Sequence, residues 1–278
     1  MKNTKIDWAD ATWNPVTGCN HDCQYCYARG IAKRFAGFES RSGGEIIPNG
    51  KGVARLSGNR ELVKVTDSIY ATTHGEPLHV FGRQPQKRTK NGSWQKAVYP
   101  YGFEPTLHRY NLDVVKAVGR KPKTVFVCSM ADLFGEWVQI DWIKAVFDAC
   151  QNAPQHRYLF FTKNPARFNS LYDEMPKGEN FYYGYSKAQG EIQGFRTDIN
   201  SFVSIEPLLG EVSISPLAHL NWIIVGAETG NRKGKITPKR EWLDEILAYS
   251  EQTDTPVFMK DSLLTIVGEE NMRREFSW

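Results

Sequence analysis

Short apolar runs alternate with stretches of helical periodicity through most of the chain after residue 100. Six runs are rich in β-branched and aromatic side chains: residues 124–128, 158–162, 181–185, 202–205, 222–225 and 256–259. Runs of this length and content are typical of parallel strands that are buried on both faces. Between them, residues 140–150 and 242–249 repeat their apolar positions at the helical period.

The pattern before residue 100 is less regular. Residues 13–18 are the expected first strand, which runs directly into a cysteine-rich loop, and residues 104–107 are the expected second strand. Repeated βα units predict an α/β fold, namely a (β/α) barrel, complete or partial, with six to eight units. We expect one domain over residues 1–278, with residues 36–100 as a basic insertion after the loop that is placed to act as a lid or as a substrate arm.

Polar side chains follow most of the predicted strands. In a barrel, the active site gathers at the carboxyl ends of the strands. The candidates at these positions are Ser129, Asp132, Lys163, Ser204, Glu206, Gly226, Glu228 and Lys260. Such groups suit a zwitterionic ligand that carries a ribose, because lysine pairs with a carboxylate while carboxylates accept from ammonium and hydroxyl groups, and a glycine lets the backbone approach closely. The alternative is that some of them only cap the helices that follow.

Three cysteines lie within eight residues, in the order Cys19-Asn-His-Asp-Cys23-Gln-Tyr-Cys26. Three thiolates on one loop can hold three irons of a 4Fe–4S cluster and leave the fourth iron open. A zinc site usually takes four ligands in two pairs. His21 lies so close in sequence to the neighbouring cysteines that it would crowd the site as a fourth ligand. A disulfide would leave one thiol over. The distant Cys128 and Cys150 are expected to be buried small hydrophobic residues.

The spacing C-x3-C-x2-C, with Tyr25 directly before the last cysteine, resembles the signature of the radical SAM superfamily. The resemblance implies a 4Fe–4S cluster on Cys19, Cys23 and Cys26, with S-adenosylmethionine (SAM) on the open iron and Tyr25 beside its adenine. It also implies reductive cleavage of SAM to a 5′-deoxyadenosyl radical, with electrons from a flavodoxin-like or ferredoxin-like donor. The polar residues that follow the strands would then hold SAM.

Five strings together resemble successive motifs of a phage- and prophage-associated group of radical-SAM-like proteins with no settled substrate: residues 13–19, 129–134, 161–165, 206–210 and 225–230. The match spans residues 6–35 and roughly 102–262, most of the chain. The Gly-Gly-Glu with which radical SAM enzymes help to hold the amino group of SAM is not present after the second predicted strand. The nearest string there is Gly102-Phe-Glu104-Pro, which makes Glu104 the candidate for that role. Lys260-Asp-Ser replaces the Lys-Gln-Trp of the relatives.

Charge is unevenly distributed along the chain. The formal net charge is +4, but residues 33–96 carry twelve Lys and Arg against five Asp and Glu. Basic groups interleaved with Trp94 suit a phosphate backbone and a stacked base, and the alternative is a solvated surface insertion. No stretch approaches the roughly 20 apolar residues of a membrane span. The N-terminus also lacks the apolar core of a signal peptide, and free cysteines fit a reducing compartment. We therefore expect a cytoplasmic protein with no membrane partner.

The expected function is that of a radical SAM enzyme that modifies, rearranges or repairs its substrate, preferably a nucleotide or a nucleic acid base. The charge distribution and the phage resemblance favour that substrate, although a protein, a peptide or a small metabolite remains open. The alternative function is a non-catalytic iron–sulfur protein that binds nucleic acid and uses its cluster for structure or redox sensing.

Overall fold

A computed structural model describes residues 4, 6–36, 46–48, 71–73, 76–88, 91, 93–194, 198–215 and 217–278. The chain divides into two compact units that are built from separate stretches of sequence. Unit 1 comprises residues 1–11, 122–126 and 154–278, and unit 2 comprises residues 12–121 and 127–153. The expectation of one domain over residues 1–278 stays a prediction, because two compact units can belong to one domain.

The described residues form short strands and six α-helices. The strands are β1 (Ala11–Trp13), β2 (Val16–Thr17), β3 (Ile46–Pro48), β4 (Ala71–Thr73), β5 (Glu76–Phe81), β6 (Pro85–Arg88), β7 (Trp94–Lys96), β8 (Thr106–His108), β9 (Thr124–Val127), β10 (Arg157–Thr162), β11 (Phe181–Ser186), β12 (Gly190–Ile192), β13 (Asn200–Ile205), β14 (Val212–Ile214), β15 (Trp222–Val225) and β16 (Val257–Met259). The helices are α1 (Tyr27–Phe35), α2 (Val114–Val118), α3 (Ile140–Gln151), α4 (Ala166–Leu171), α5 (Arg240–Thr253) and α6 (Leu264–Val267). All six predicted apolar runs are strands and both helical stretches are helices, although several of their ends differ.

The largest sheet has seven parallel strands in the order β1-β9-β10-β11-β13-β15-β16. Its later strands are buried at nearly every position: all four residues of β15 and all three of β16 are buried. A strand covered on both faces has no solvent side to alternate toward, which explains why its sequence reads as an unbroken apolar run. No helix in the described part of the chain combines the length and apolar character needed to cross a bilayer.

The prediction of a complete (β/α) barrel is wrong, because the seven parallel strands form a curled half-barrel sheet that stays open. β16 pairs with β15 along one edge, and the C-terminal segment runs antiparallel along its other edge. There, the Met259 N–H donates to the Arg273 carbonyl at 2.8 Å and the Glu275 N–H donates to the Val257 carbonyl at 3.0 Å. The hydrogen-bonding groups that a closing strand would need are therefore already used.

The expected series of βα units is also interrupted. β8 overlaps the predicted second strand, but it belongs to a separate sheet of order β2-β8-β5-β4, in which it lies antiparallel to β2. Between β11 and β13, and again between β13 and β15, the described residues form strands β12 and β14, which pair with each other. The structure is thus an α/β fold with an open parallel sheet. Periodicity identified the strands, but it could not show which of them share a sheet.

Unit 2 contains the described part of the predicted insertion. Strands β3, β6 and β7 form a three-stranded sheet, and β5 joins β8 in the four-stranded sheet. The rest of residues 36–100 lies outside the described residues, and the lid prediction rests largely on that part. The described portion nevertheless includes most of the basic string between Arg83 and Lys96.

Candidate functional site

The cysteine loop (residues 18–26) connects β2 to α1 in unit 2. Gly18 begins the loop with φ of +89°. A Cβ on Gly18 would lie only 2.1 Å from the carbonyl oxygen of Glu104. The next residue is held by the same segment, because the Cys19 N–H donates to the Phe103 carbonyl at 3.0 Å. Only glycine has both the backbone freedom and the small size that this entry to the loop requires.

The three thiols lie close enough together to influence one another. Burial, together with the charges of Asp132, Cys26 and Cys23, raises the pKa of the Cys19 thiol to about 12. Cys26 is the N-cap of α1, and its Sγ accepts the Arg29 N–H at 3.4 Å. The positive end of a helix stabilises a thiolate. The loop therefore combines a half-buried thiol at Cys19 with a sulfur at Cys26 that already accepts a backbone N–H.

The donor set fits an iron–sulfur cluster in its chemistry, since three sulfur ligands occur in one short loop and one of them already accepts an N–H. In the described ranges, however, no group of three or more His, Cys, Asp or Glu side chains stands ready to hold a metal ion. All five cysteines are free of disulfides. Cys128 and Cys150 are buried, as the sequence predicted.

A second loop, the β9 loop (residues 128–137), lies against the cysteine loop within unit 2. The His21 Nε2 atom is 2.9 Å from Oδ2 of Asp132. The Tyr27 hydroxyl donates to the Ser129 carbonyl at 2.9 Å. His21 lies between Cys19 and Cys23, and Tyr27 directly follows Cys26, so the two contacts tie both the loop and the start of α1 to the segment after β9.

Asp132 and Ser129, both predicted as cofactor contacts, are engaged in these loop contacts. Besides meeting His21, Asp132 accepts the Phe134 N–H on Oδ1 at 3.0 Å. The Ser129 hydroxyl donates to Oδ1 of Asn14 at 3.2 Å. Asp132 is almost fully buried. In the structure these two side chains shape the β9 loop. A ligand would have to bind them in addition to these contacts or in place of them.

Sequence reasoning gave no role to three residues that the structure places around the cysteines. Asn14 accepts the Met130 N–H at 3.0 Å in addition to the Ser129 hydroxyl. The His21 ring meets Trp137 edge to face, with centroids 4.9 Å apart. Asn14 and His21 both lie in strings that the sequence singled out, but nothing in a single sequence pairs them with residues more than a hundred positions away.

The backbone carbonyl of Glu104 lies next to Gly18, at the start of the cysteine loop, while the Glu104 side chain contacts a buried histidine. His79 Nε2 lies 2.7 Å from Glu104 Oε2, and the His79 ring stacks on Tyr101 with centroids 3.6 Å apart. Burial lowers the pKa of His79. The Glu104 side chain is 37% exposed, so a ligand can still reach this carboxylate. Tyr25 is half-buried within the cysteine loop.

The strand-end group of unit 1 consists of Glu206, Gly226, Glu228 and Lys260. Since β13, β15 and β16 are adjacent and parallel, their carboxyl ends lie at one edge of the sheet. Lys260 Nζ donates to Oε1 of Glu206. The Lys260 chain passes over Gly226, where an added Cβ would lie 3.0 Å from Lys260 Cδ. The structure therefore brings these three residues together.

Glu228 is engaged differently. Its carboxylate is nearly fully buried and receives both arms of the Arg232 guanidinium, at 2.5 Å from Nε and 2.7 Å from Nη2. The Arg232 hydrogen bonds lower the pKa of Glu228. A bidentate pair of this kind satisfies both carboxylate oxygens. Of the remaining candidates, Ser204 is buried within β13 and Lys163 is half-buried after β10.

The predicted site residues thus fall into two groups, one in each unit. Unit 2 holds Cys19, Cys23, Cys26, Tyr25, Glu104, Ser129 and Asp132. Unit 1 holds Lys163, Ser204, Glu206, Gly226, Glu228 and Lys260.

Comparison with known proteins places the chain in a family. No curated protein and no solved structure matches it. Residues 3–263, most of the chain, match a family whose description is "Protein of unknown function (DUF5131)". The chain therefore belongs to this family.

Proposed function

We propose that the protein is a radical SAM enzyme whose cysteine loop binds a 4Fe–4S cluster. The observation that carries the proposal is the cysteine loop itself: three thiols within eight residues, with Cys26 capping α1 and accepting an N–H on its sulfur. When bound, such a cluster supplies one electron to the sulfonium of SAM, which splits into methionine and a 5′-deoxyadenosyl radical.

The chain's own residues would bind the cluster and hold its ligands in position. Cys19, Cys23 and Cys26 would each ligate one iron as a thiolate, which requires their Sγ atoms to turn toward a common centre. The contact of His21 with Asp132 and that of the Tyr27 hydroxyl with the β9 loop hold the loop backbone while this happens. Ligands fixed by such outer contacts bind metal more tightly than ligands on a mobile loop.

The same proposal includes the partners expected from the sequence. A flavodoxin-like or ferredoxin-like protein would donate the electron, and the substrate would be a nucleotide or a nucleic acid base. The cytoplasm is the proposed location, because a reducing compartment keeps thiols available for iron. The strand-end residues and Lys163, Ser204, Glu104 and Tyr25 keep their predicted role as cofactor contacts. Glu206 and Lys260 are the strongest of these, because their opposite charges suit the two ends of a zwitterion.

The test is to measure 5′-deoxyadenosine after anaerobic reconstitution of the full chain with iron and sulfide, using SAM and a strong reductant. We expect 5′-deoxyadenosine and methionine in equal amounts from the native protein and from Cys150→Ala, which removes a buried thiol outside the loop. Cys23→Ala should give neither product. A protein that holds a full cluster but binds no SAM would contradict the proposal and favour the non-catalytic iron–sulfur nucleic-acid-binding protein.

A further inference from the structure

A pocket of about 380 Å³ lies in unit 2, and none of its lining residues belongs to the cysteine loop. It is formed where the turn before β6 and the end of β7 meet the segment that leads into α2. A volume of this size lies in the range of pockets that bind small molecules.

The pocket is positively charged. Arg83, Lys96 and Lys116 line it, against a single carboxylate, that of Asp113. Asp113 caps α2, because its Oδ1 accepts the Lys116 N–H at 2.9 Å. Three cations from three separate segments converge on one cavity, an arrangement that suits an anion with several acceptor oxygens, such as a phosphate group.

The polar wall between these cations is held by partly buried hydrogen bonds. The Gln84 amide donates to the Ala97 carbonyl at 3.2 Å. The Tyr110 hydroxyl lies 2.9 Å from Nδ1 of His108. The Trp13 indole N–H donates to the Asn111 carbonyl at 2.7 Å. A wall fixed in this way does not have to be ordered when a ligand binds, so less of the binding free energy is lost.

An exposed aromatic side chain stands near the pocket on the same strand as one of its cations. Trp94 is 46% exposed. Side chains alternate along a strand, so Trp94 and Lys96 project from the same face of β7, about 6.6 Å apart along it. Aromatic side chains next to a cationic groove are the usual means of binding unpaired bases.

We propose that this pocket binds a nucleotide, with its phosphate among Arg83, Lys96 and Lys116 and its base stacked on Trp94. The nucleotide is either free or part of a single strand, since both present a phosphate beside an unpaired base. The proposal names the substrate class of the proposed radical SAM function, and it rests on that function only for the reaction that follows binding.

Binding is measured by fluorescence anisotropy with a labelled single-stranded oligonucleotide, with adenosine monophosphate and inorganic phosphate as competitors. The test variant is Lys96→Gln with Lys116→Gln. The matched control is Arg120→Gln with Lys121→Gln, which removes the same charge from exposed positions outside the pocket. The variant Lys96→Arg with Lys116→Arg restores the charge, and thermal unfolding confirms that each protein is folded.

We expect the pocket variant to bind the strand about tenfold more weakly, and the slope of log K against log salt to fall by about 0.7 for each lysine removed. The arginine variant should bind like the native protein, and the control should change by less than about twofold. Trp94→Ala should weaken binding by about tenfold with no change in the salt slope, because stacking releases no counterions. Equal losses in the pocket variant and the control, or native affinity in Trp94→Ala, would overturn the proposal.

The two ligand sources give different competition results. Displacement of the strand by adenosine monophosphate, but not by inorganic phosphate, supports a single-nucleotide site. Displacement by neither supports a site for a nucleotide within a strand. Because the assay needs neither iron nor SAM, its failure is separate from failure of the proposed function. A protein that cleaves SAM but binds no nucleotide overturns the pocket proposal alone.

Discussion

The cysteine loop and the strand-end group hold their polar side chains in two different ways. In the strand-end region the charged groups bind each other: Lys260 donates to Glu206, and Arg232 donates to Glu228. Around the cysteine loop, side-chain pairs also occur, between His21 and Asp132 and between Arg29 and Asp22, but the three thiols take no part in those pairs. Thiols are weak donors and acceptors, so a metal remains their strongest available partner. Charged residues at strand ends therefore indicate a ligand less strongly than three thiols in one short loop do.

The largest difference between the two regions is expected in iron binding. Cys26→Ala should reduce the iron of the reconstituted protein from about four atoms per chain to nearly none, because it removes the ligand that caps α1. Glu228→Gln, in the other region, should leave the iron content unchanged. Colorimetric iron and sulfide assays on the two variants make the comparison. Full iron content in Cys26→Ala would show that the loop is not the cluster site.

Replacing one glycine near each region by alanine distinguishes the cost of steric crowding from the cost of backbone strain. Gly18→Ala should lower the free energy of unfolding by about 3 kcal/mol, because both its positive φ and the collision with the Glu104 carbonyl oppose a side chain. Gly230→Ala, with φ of +85° and nothing within 4 Å of an added Cβ, should cost about 1 kcal/mol. Urea unfolding measures both. Equal costs would mean that the entry to the cysteine loop relaxes easily.

Acid should destabilise the protein through a histidine in the network next to the cysteine loop. Burial lowers the pKa of His108 to about 3, and its Nε2 lies 2.8 Å from the Thr17 hydroxyl. Below the ordinary histidine pKa near 6.5 the unfolded chain binds a proton that the folded chain does not, so stability falls with pH. Between pH 7.5 and pH 5 the loss should be about 2 kcal/mol.

Denaturant unfolding at the two pH values measures this loss in the native protein and in His108→Gln. The glutamine variant should lose about 2 kcal/mol less between them, although it is less stable at both. His79, whose pKa is also lowered by burial, contributes in the same direction and remains in the variant. An unchanged pH dependence in His108→Gln would rule out His108 as its source.

The smallest effect on stability is expected in the strand-end group. The Glu206 and Lys260 side chains are 27% and 18% exposed, so solvent compensates for part of what their pair contributes. A double-mutant cycle with Glu206→Gln and Lys260→Met should give a coupling of no more than about 1 kcal/mol. If the pair serves a zwitterionic ligand, the KM for SAM should rise in both single variants. A coupling well above this value would instead assign the pair a structural role.

The sequence predicted the strands of the large sheet because a strand buried on both faces must be apolar throughout. It did not decide between a complete and a partial barrel, because the open edge depends on residues 273–275, which carry no strand-like pattern but pair with β16. The sequence also predicted the strand near residue 106, β8, but it did not predict that β8 pairs with β2. Pairing between β2 and β8 is a long-range contact that periodicity does not encode.

More of the cysteine loop than of the strand-end group could be predicted from the sequence. The thiol motif is local in sequence, so the loop and its position before a helix could be read directly. The partners of Glu228 and Asp132 could not be read in the same way. Arg232 lies one helical turn's spacing from Glu228 without any helix, and His21 is far from Asp132 in sequence. The pocket beside Lys96 and Tyr110 was also out of reach, because its walls come from three separate segments.

The division of unit 1 into separate stretches has a consequence for synthesis on the ribosome. Trp8 packs against Phe126, Phe161 and Trp222, with ring centroids 5.0, 5.3 and 6.2 Å apart. At ordinary elongation rates roughly 10 to 40 s pass between the synthesis of Trp8 and that of Trp222. During that time Trp8 has only part of its core available. A nascent chain halted before β15 would carry this indole without Trp222 against it, a form that chaperones and proteases recognise.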